Sequence, residues 1–419
     1  MQTQYDLVII GGGASGLMAA IAAAEKQQKI LLVEKMEQAG RKLRITGKGR
    51  CNLTNTSPIK EFISHIGSDG RFMRNAFSLF FNNELMQFFE EKGVELNIER
   101  GSRVFPKSGK ALDIFLALIN TIERNKNITI LKNTSATDLI VSPDGIAGVT
   151  INNGKNIDIA APKVILATGG KSYPLTGSTG DGYSLAKNVG HTIVDPIPSL
   201  VPLVCQETIP DELVGFTLKN VSLTISDAND KKICNFFGEM TFTDNGIGGP
   251  IVLSASRIIS RRLQAGEQLR ATLDLKPALE HEVLDKKLIR ELDENGSRIL
   301  KDALRMWLPA EMIPLALQTM TIEHYKRLNQ VSANDRKKIM RMLKAMPFTI
   351  VGTRGFDEAI VTQGGVSLKE VNPKTMESKL VKNLYITGEL LDLDADTGGY
   401  NLQIAFSTGY AAGKAVNMQ

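Results

Sequence analysis

The sequence predicts an α/β fold: a discontinuous domain built on a mostly parallel sheet, an inserted antiparallel β-domain or barrel, and a small helical domain. Three observations predict it. Residues 5–35 follow a strand, glycine turn, helix, strand pattern. Short alternating runs begin at residue 197, and residues 277–345 are mostly helical in character. Residues 384–416 then return to a buried strand and a helix. We therefore expect the two ends of the chain to share one sheet.

The first element is a Rossmann-like nucleotide-binding pattern, G-x-G-x-x-G between two buried strands with an acid after the second strand. Gly11 permits the tight turn, and Gly13 lets the backbone approach a pyrophosphate. Gly16 lets the helix lie close to the sheet, and Glu34 can accept hydrogen bonds from a ribose 2′-OH. The turn alone does not distinguish FAD from NAD. The residues of the pattern are Leu7–Ile10, Gly11, Gly13, Ala14, Ser15, Gly16, Ile30–Val33 and Glu34.

Composition and charge exclude several classes. The chain has 419 residues, enough for two or three domains, and 42% of them are hydrophobic, as in ordinary globular proteins. A net charge of +5 is too mild to indicate nucleic-acid binding by itself. Cys51, Cys205 and Cys234 form no C-x-x-C motif, which suits a reducing cytoplasm, and we predict a cytoplasmic location. No signal peptide, apolar stretch of about 18 residues or metal-ligand spacing is present in the sequence.

The segment Glu37–Asn55 follows the predicted acid and carries three glycines and five Lys or Arg residues. Without helical or strand periodicity, it is predicted as a loop. A solvated surface loop is one interpretation. Because loops at the carboxyl ends of strands line the crevice of doubly wound folds, we favour a clamp on an anionic cofactor. A second glycine-rich loop, residues 173–183, is predicted as a wall of the active site.

The middle of the chain is predicted to differ from its ends. Alternating runs predict an antiparallel sheet or barrel, and a basic amphipathic helix at residues 333–346 is interpreted as a solvated face. We place the sheet domain at residues 1–192 and 348–419, the β-domain at 193–275 and the helical domain at 276–347.

The end of the chain carries a strand, Leu384–Thr387, and a helix, Tyr400–Val416. On this helix Ala405, Gly409 and Gly413 form a stripe of small residues that predicts close packing. The N-terminus of the helix would stabilise a fused ring that gains negative charge on reduction.

Several stretches together carry a resemblance to a known family: GGGASG with Glu34, VILATGG, GKGRCNLTN, FPKSGKA, TGSTGDGY, TQGGVSLKEV and the terminal GELLDLDADTGGYNLQ. They resemble the HI0933-like (aminoacetone oxidase-type) family, which belongs to the two-dinucleotide-binding-domain flavoproteins. The resemblance runs over nearly the whole chain. It implies one noncovalent FAD, a split Rossmann-like FAD domain, an inserted β-domain and a small helical domain.

The resemblance also implies where FAD would bind. The adenosine diphosphate side would be held by Ser15, Gly16, Glu34 and Lys35, with Ala136, Thr168 and Gly169 at the same face. The pyrophosphate and ribityl chain would be held by Arg41, Lys42, Gly47, Gly49, Asn52 and Thr54, with Gly388 and Glu389. The flavin ring would face Gly399, Tyr400, Asn401 and Leu402. Two departures from the family pattern are the glutamines at 27 and 28, where a small residue is expected, and Gly248, where serine is common.

The predicted function is an FAD-dependent oxidoreductase that transfers hydride between a small-molecule substrate and the flavin, with NAD(P)H as a transient substrate. Oxidase and reductase remain open, and the catalytic residues are unknown. Cys51 and His191 are interpreted as packing residues, and Arg103 and Lys107 as substrate anchors or solvated side chains. Two alternatives remain: a flavoprotein that binds or modifies RNA such as tRNA, and a flavin-bound sensor. For the leading interpretation we expect no nucleic-acid partner, membrane or metal.

Overall fold

The structure, a computed structural model, describes residues 3–67 and 69–418. The chain divides into two compact units. One unit combines the described residues up to Pro198 with those from Ala359 onward, and the other is Ser199–Glu358. The predicted fold class is confirmed, because one unit has a parallel sheet built from both ends of the chain and the other a closed antiparallel barrel with helices.

Most of the first unit is formed by the described residues up to Pro198. Its strands are β1 (Leu7–Ile10), β2 (Ile30–Val33), β3 (Thr54–Asn55), β4 (Leu96–Glu99), β5 (Arg103–Pro106), β6 (Ile128–Leu131), β7 (Ser135–Ser142), β8 (Gly145–Asn152), β9 (Asn156–Ala160), β10 (Val164–Leu166) and β11 (Ile193–Ser199). Its helices are α1 (Ala14–Ala23), α2 (Arg41–Ile45), α3 (Ile59–Ser64), α4 (Arg74–Leu79), α5 (Asn82–Glu91), α6 (Ala111–Glu123) and α7 (Asp181–Asn188).

The second unit is a closed barrel with five helices among its described residues. Its strands are β12 (Leu203–Cys205), β13 (Thr217–Ser226), β14 (Lys232–Thr243), β15 (Gly246–Gly248), β16 (Leu269–Asp274) and β17 (Met346–Thr353). Its helices are α8 (Pro250–Gln264), α9 (His281–Glu294), α10 (Leu300–Ala303), α11 (Ile313–Met320) and α12 (Ala333–Lys344). The strand order is β12-β15-β14-β13-β16-β17, and β17 pairs back with β12. Closure leaves no open sheet edge.

Strand β17 differs from the sequence prediction, which placed residues 348–353 at the start of the returning sheet domain. Ala271 pairs with Phe348 and Leu203 with Thr353, so the strand completes the barrel. The alternating pattern of this segment predicts a strand but does not say which sheet it joins, because its partners lie far away in the sequence.

The chain returns to the first unit with β18 (Val361–Val366), β19 (Leu384–Ile386) and α13 (Tyr400–Ala415). The parallel sheet has the order β19-β10-β1-β2-β6, and every pairing in it is parallel. Strands β1, β2, β10 and β19 are buried throughout. Such continuous apolar strands are typical of a sheet covered on both faces.

Helices α1 and α13 pack closely through glycines, as the stripe of small residues predicted. A Cβ on Gly409 would lie 2.2 Å from the Ser15 carbonyl oxygen, and one on Gly413 would lie 2.5 Å from that of Ala19. Gln28, which departs from the family pattern, donates hydrogen bonds to the Ala23 carbonyl and to Asn417. It therefore joins the end of α1 to the segment after α13.

Local differences from the predicted elements are small. The segment predicted as a loop after Glu34 contains the short helix α2. Residues 75–92 have helical spacing of phenylalanines, which predicts one helix, and the structure divides them between α4 and α5. Among the described residues, no helix is both long and apolar enough to cross a membrane.

Candidate functional site

The parallel strands end at one edge of the sheet, and the predicted cofactor residues follow them there. Gly11 comes directly after β1, Glu34 after β2, Thr168 two residues beyond the end of β10 and Gly388 two residues beyond the end of β19. The chain order reverses at β1, which lies between β2 and β10. Ligands of open α/β sheets bind in the crevice at such a switch point.

The glycine turn after β1 is shaped by two close contacts and one open position. A Cβ on Gly11, where φ is +104°, would lie 2.5 Å from the Ala167 carbonyl oxygen. A Cβ on Gly16 would lie 1.9 Å from the Gly11 carbonyl oxygen. A Cβ on Gly13, the N-cap of α1, would meet no atom within 4 Å. Gly11 and Gly16 therefore serve the packing of the turn, and Gly13 leaves space open at the start of α1.

Glu34 is fixed by backbone donors. Its Oε2 accepts a hydrogen bond from the Gly12 N–H at 2.9 Å, and its Oε1 accepts one from the Met36 N–H at 2.8 Å. Burial raises the pKa of this carboxyl, and the two backbone N–H groups oppose the shift only in part. Each carboxylate oxygen has a second lone pair for a further donor such as a ribose hydroxyl.

Lys35 connects the acid to the second glycine-rich loop. Its ammonium lies 2.6 Å from the Asp181 carboxylate and also donates to the Thr179 hydroxyl. The loop at 173–183 thus reaches the carboxyl end of β2.

The C-terminal segment meets the first turn of α1 directly. The Ser15 hydroxyl donates to Thr387 Oγ1 at 2.8 Å, and the Gly388 N–H donates to Thr408 Oγ1 at 2.9 Å. A Cβ on Gly388, where φ is +69°, would lie 2.9 Å from the Ser15 Cβ. The turn after β19 therefore adopts a left-handed conformation against the start of α1.

A partly buried polar cluster joins Lys42 and Glu389. The Lys42 ammonium lies 2.6 Å from Glu389 Oε2 and also donates to the Ser172 hydroxyl. Glu389 Oε1 accepts from Ser172 Oγ at 2.9 Å and from the Thr362 N–H at 2.8 Å. No sequence pattern marks Ser172 or Thr362 as part of the site. Only the tertiary structure brings them to Glu389, since they lie 217 and 27 positions from it.

The segment between α2 and β3 has an unusual backbone. Lys48 and Cys51 have φ of +57° and +59°, and Gly47 and Gly49 lie between +57° and +83°. Such left-handed backbone in residues other than glycine is costly and concentrates at functional sites. A Cβ on Gly49 would meet no atom within 4 Å, so this glycine also borders open space.

Helix α13 begins against this segment. A Cβ on Gly399, where φ is +98°, would lie 2.3 Å from the Thr54 carbonyl oxygen, and the Thr54 hydroxyl donates to Gln403. The Asn401 side chain accepts from the Ala395 N–H and donates to the Ala395 carbonyl, each at 2.9 Å. The start of α13 is therefore fixed by its contacts with Thr54 and Ala395.

Tyr400 is buried and stacks on His65, with ring centres 4.4 Å apart. His65 Nδ1 lies 2.9 Å from Asp396 Oδ2. The sequence analysis did not single out His65, since 331 positions separate it from its carboxylate partner. His191, by contrast, is buried and hydrogen-bonded to Glu370 and Ser378, and burial lowers its pKa. Its contacts agree with the interpretation as a packing residue.

Some of the residues predicted to bind FAD lie at the margin of the candidate site. Ala136 belongs to β7, in a separate three-stranded sheet with β8 and β9. Asn52, Leu402 and Gly169 are partly exposed, and Arg41 is exposed. The Thr168 hydroxyl is buried and unpartnered among the described atoms, and a Cβ on Gly182 would lie 1.9 Å from it. This hydroxyl therefore faces the start of α7.

The residues present fit a bound dinucleotide. Open space at Gly13 adjoins the first turn of α1, whose N–H groups have no acceptor within the helix. Glu34 supplies a carboxylate at the end of the next strand, and the start of α13 supplies a second helix N-terminus. Within residues 3–67 and 69–418, no group of three or more His, Cys, Asp or Glu side chains is arranged to hold a metal ion.

Comparison with known proteins gives the family. The model described as HI0933-like protein Rossmann domain matches residues 5–415. The 3-dehydro-bile acid delta(4,6)-reductase of Clostridium scindens is 34% identical over 409 residues, covering 97% of this chain and 98% of that protein. The ribosomal RNA dihydrouridine synthase of Haemophilus influenzae is 28% identical over 414 residues, covering 98% of each.

Solved structures share the fold. The 3-ketosteroid delta1-dehydrogenase of Sterolibacterium denitrificans matches with a TM-score of 0.53 at 12% identity, covering 100% of both chains. The 3-ketosteroid-delta4-(5alpha)-dehydrogenase of Rhodococcus jostii RHA1 matches with a TM-score of 0.50 at 13% identity, covering 99% of this chain and 97% of the other. At these identities the likeness shows the fold alone.

This chain belongs to the HI0933-like family. The predicted resemblance is thereby confirmed. The prediction of an FAD-dependent oxidoreductase with a flavin cofactor is confirmed at the level of enzyme class. The contacts of individual residues with FAD remain predictions.

Proposed function

We propose that this member of the HI0933-like family is an FAD-dependent reductase that takes hydride from NAD(P)H and delivers it to an electron-poor carbon–carbon double bond of a small molecule. One observation carries the flavin site: Ser15 at the start of α1 contacts Thr387 and Gly388, which lead to α13. The N-terminus of α1 and Glu34 follow strands that end at one sheet edge, and the N-terminus of α13 lies against Thr54. This arrangement suits an extended dinucleotide that ends in a ring.

Each group has a role in this proposal. The N–H groups after Gly13 bind the pyrophosphate, and Glu34 accepts hydrogen bonds from the ribose hydroxyls. Lys42, oriented by Glu389, supplies a hydrogen-bond donor beside the phosphates. The N-terminus of α13 at Gly399 faces the flavin ring and favours negative charge there. Bound FAD supplies the hydride chemistry, and the protein supplies position and electrostatic field.

The names of two relatives support reduction over oxidation. One is called a delta(4,6)-reductase of a 3-dehydro bile acid, and the other a dihydrouridine synthase. Both names describe a product that has gained hydrogen across a double bond. For this chain we therefore propose a substrate whose double bond is conjugated to a carbonyl group, since such a bond accepts hydride at carbon.

Anaerobic mixing of the purified protein with NADH or NADPH tests the proposal. We expect a yellow protein with noncovalent FAD whose visible absorbance is bleached by a reduced nicotinamide. The colour should return faster with a conjugated enone than with air. A protein that cannot be loaded with FAD contradicts the cofactor proposal. Rapid reoxidation by air alone, with no effect of enones, favours an oxidase instead.

A second candidate is a flavoprotein that modifies ribosomal or transfer RNA. The relatives named ribosomal RNA dihydrouridine synthase favour it, since each is 28% identical to this chain over nearly the full length of both proteins. Helix α12 also exposes Lys337 and Arg341. Incubation of the protein with an excess of NAD(P)H and unmodified ribosomal RNA, followed by mass spectrometry of the nucleosides, tests it. Formation of dihydrouridine at substoichiometric protein supports this candidate, and its absence beside active enone reduction contradicts it.

A further inference from the structure

A cleft of about 620 Å³ opens between α2, the start of α6 and Thr176. Its lining includes Arg41, Arg44 and Lys110, with Glu37 as an acid. We call it the cationic cleft. Its volume lies in the range of small-molecule sites, which is roughly 300–1,000 Å³. All its lining residues belong to the first unit.

The three cations of the cleft have no carboxylate within salt-bridge distance among the described residues, and two of them, Arg44 and Lys110, lie outside the set predicted to bind FAD. Among the described residues, Arg41, Arg44 and Lys110 form no salt bridge, whereas the neighbouring Lys42 and Arg50 pair with Glu389 and Glu99. The Arg44 guanidinium donates to Gln38 Oε1 at 2.7 Å and lies 5.7 Å from the centre of the Phe115 ring. These two contacts orient Arg44 without neutralising its charge.

The excess of positive charge selects an anionic ligand. Three cations against the single carboxylate of Glu37 leave the lining with two net positive charges. Unpaired cations in a cleft concentrate anions and steer them inward. A guanidinium also matches the geometry of a phosphate, to which it can donate two parallel hydrogen bonds.

The cleft borders the proposed flavin site, where a hydride donor would have to bind. Arg41 and Gly49, two of its lining residues, also belong to the segment predicted to clamp the flavin cofactor. The sequence contains no second G-x-G-x-x-G fingerprint, so a nicotinamide donor needs a binding site of another kind. We propose that the cationic cleft binds the 2′-phosphorylated adenosine end of NADPH and makes the enzyme prefer NADPH to NADH. This inference rests on the proposed function, in which a reduced nicotinamide donates hydride.

The redox step balances with this ligand. NADPH loses one hydride, which carries two electrons, and leaves as NADP⁺. One proton from solvent completes the two-electron reduction of the bound flavin. The cleft contributes only binding energy, because the 2′-phosphate does not change in the reaction.

Calorimetric titration of the FAD-loaded protein tests the cleft without turnover. The probes are 2′,5′-ADP and 5′-AMP, which differ only in the 2′-phosphate. We expect 2′,5′-ADP to bind at least about tenfold more tightly, and Arg44→Gln or Lys110→Gln each to weaken it by about five- to tenfold. Neither substitution should change the affinity for 5′-AMP by more than about twofold.

Lys107→Gln is the matched control. Lys107 is exposed, pairs with Glu95 and is not among the residues that line the cleft. The Lys107→Gln substitution removes one positive charge, as Lys110→Gln does, and the two positions are only three residues apart. We expect its affinity for 2′,5′-ADP to equal that of the wild type. Equal weakening by Lys107→Gln and Lys110→Gln would show a nonspecific charge effect and overturn the inference.

Further outcomes separate this inference from the proposed function. Equal affinity for the two adenine nucleotides, or binding of 2′,5′-ADP only after FAD is removed, overturns the inference; the second result would make the cleft part of the flavin site. Flavin bleaching by NADH and NADPH with equal efficiency also overturns it and leaves the proposed function standing. Discrimination between the two nucleotides without bleaching by either coenzyme supports the cleft and contradicts the proposed donor.

Discussion

Ser15 donates a hydrogen bond of 2.8 Å to Thr387, although 372 positions separate the two residues. Ser15 stands in the first turn of α1, and Thr387 directly follows β19. The contact joins the glycine turn at the start of the chain to the segment that leads into α13. Both halves of the proposed flavin site therefore depend on one junction, and substitutions on either side should affect FAD binding.

Gly13 and Gly16 should respond differently to alanine. A Cβ at Gly16 would lie 1.9 Å from a backbone oxygen, so Gly16→Ala should destabilise the FAD-free protein by about 1–3 kcal/mol or more. In Gly13→Ala the added methyl group meets no protein atom, so the melting temperature should equal that of the wild type. The methyl group would, however, occupy the proposed position of the phosphate. We expect at least about tenfold weaker FAD binding. Thermal melting and FAD titration measure both effects, and wild-type FAD affinity in Gly13→Ala would contradict the phosphate assignment.

The packing of α1 against α13 should limit substitution at Gly409. In Gly409→Ala, the new methyl carbon would lie 2.2 Å from the Ser15 carbonyl and force the helices apart. We expect a loss of about 1–3 kcal/mol in the free energy of unfolding and weaker FAD binding. Gly352→Ala is the control, since no atom lies within 4 Å of its Cβ position. It should stay within about 0.5 kcal/mol of the wild type in denaturant titrations. Equal stability of the two variants would refute close helix packing.

FAD affinity should fall on acidification because of Glu34. Burial raises the pKa of its carboxyl above 4.5, while the ionised form accepts hydrogen bonds from ribose hydroxyls more strongly than the protonated form does. Below that raised pKa, FAD binding is therefore coupled to release of a proton, and the dissociation constant should rise by up to about tenfold per pH unit. The stability of the FAD-free protein depends on pH in the opposite direction. Because the pKa of Glu34 is raised in the folded state, this residue contributes more to stability as the pH falls and its carboxyl becomes protonated. Fluorescence titrations at several pH values measure the slope, and Glu34→Gln should flatten it. An unchanged slope in that variant would exclude Glu34 as the titrating group.

The cysteines should be unreactive in the native protein. Burial raises the pKa of the Cys51 and Cys205 thiols to about 12 and that of Cys234 to about 11. Since the thiolate is the reactive form, a thiol reagent at neutral pH should label none of them within minutes. The same reagent in denaturant should count three thiols. Rapid labelling of native Cys51 would contradict its interpretation as a packing residue and suggest a chemical role.

The local elements were predictable because their signals lie in neighbouring residues. The bounds of β1 and β2 agree with the apolar runs that predicted them, and Gly16 stands where a helix must approach a strand. The short helix α2 was missed, since only five residues provide too little periodicity. Strand β17 was assigned to the other unit, because an alternating run does not name its partner.

The sequence by itself determined the strand–turn–helix unit, the small-residue face of α13 and the chemical character of the site: glycines, an acid and cations. Local periodicity, turn chemistry and charge carry that information. Only the tertiary structure decided that Ser172 and Thr362 hold Glu389 and that His65 stacks on Tyr400. It also decided that, among the described residues, Lys42 forms a salt bridge and Arg44 does not. These relationships depend on the packing of residues distant in sequence, and no local pattern specifies which distant side chains meet.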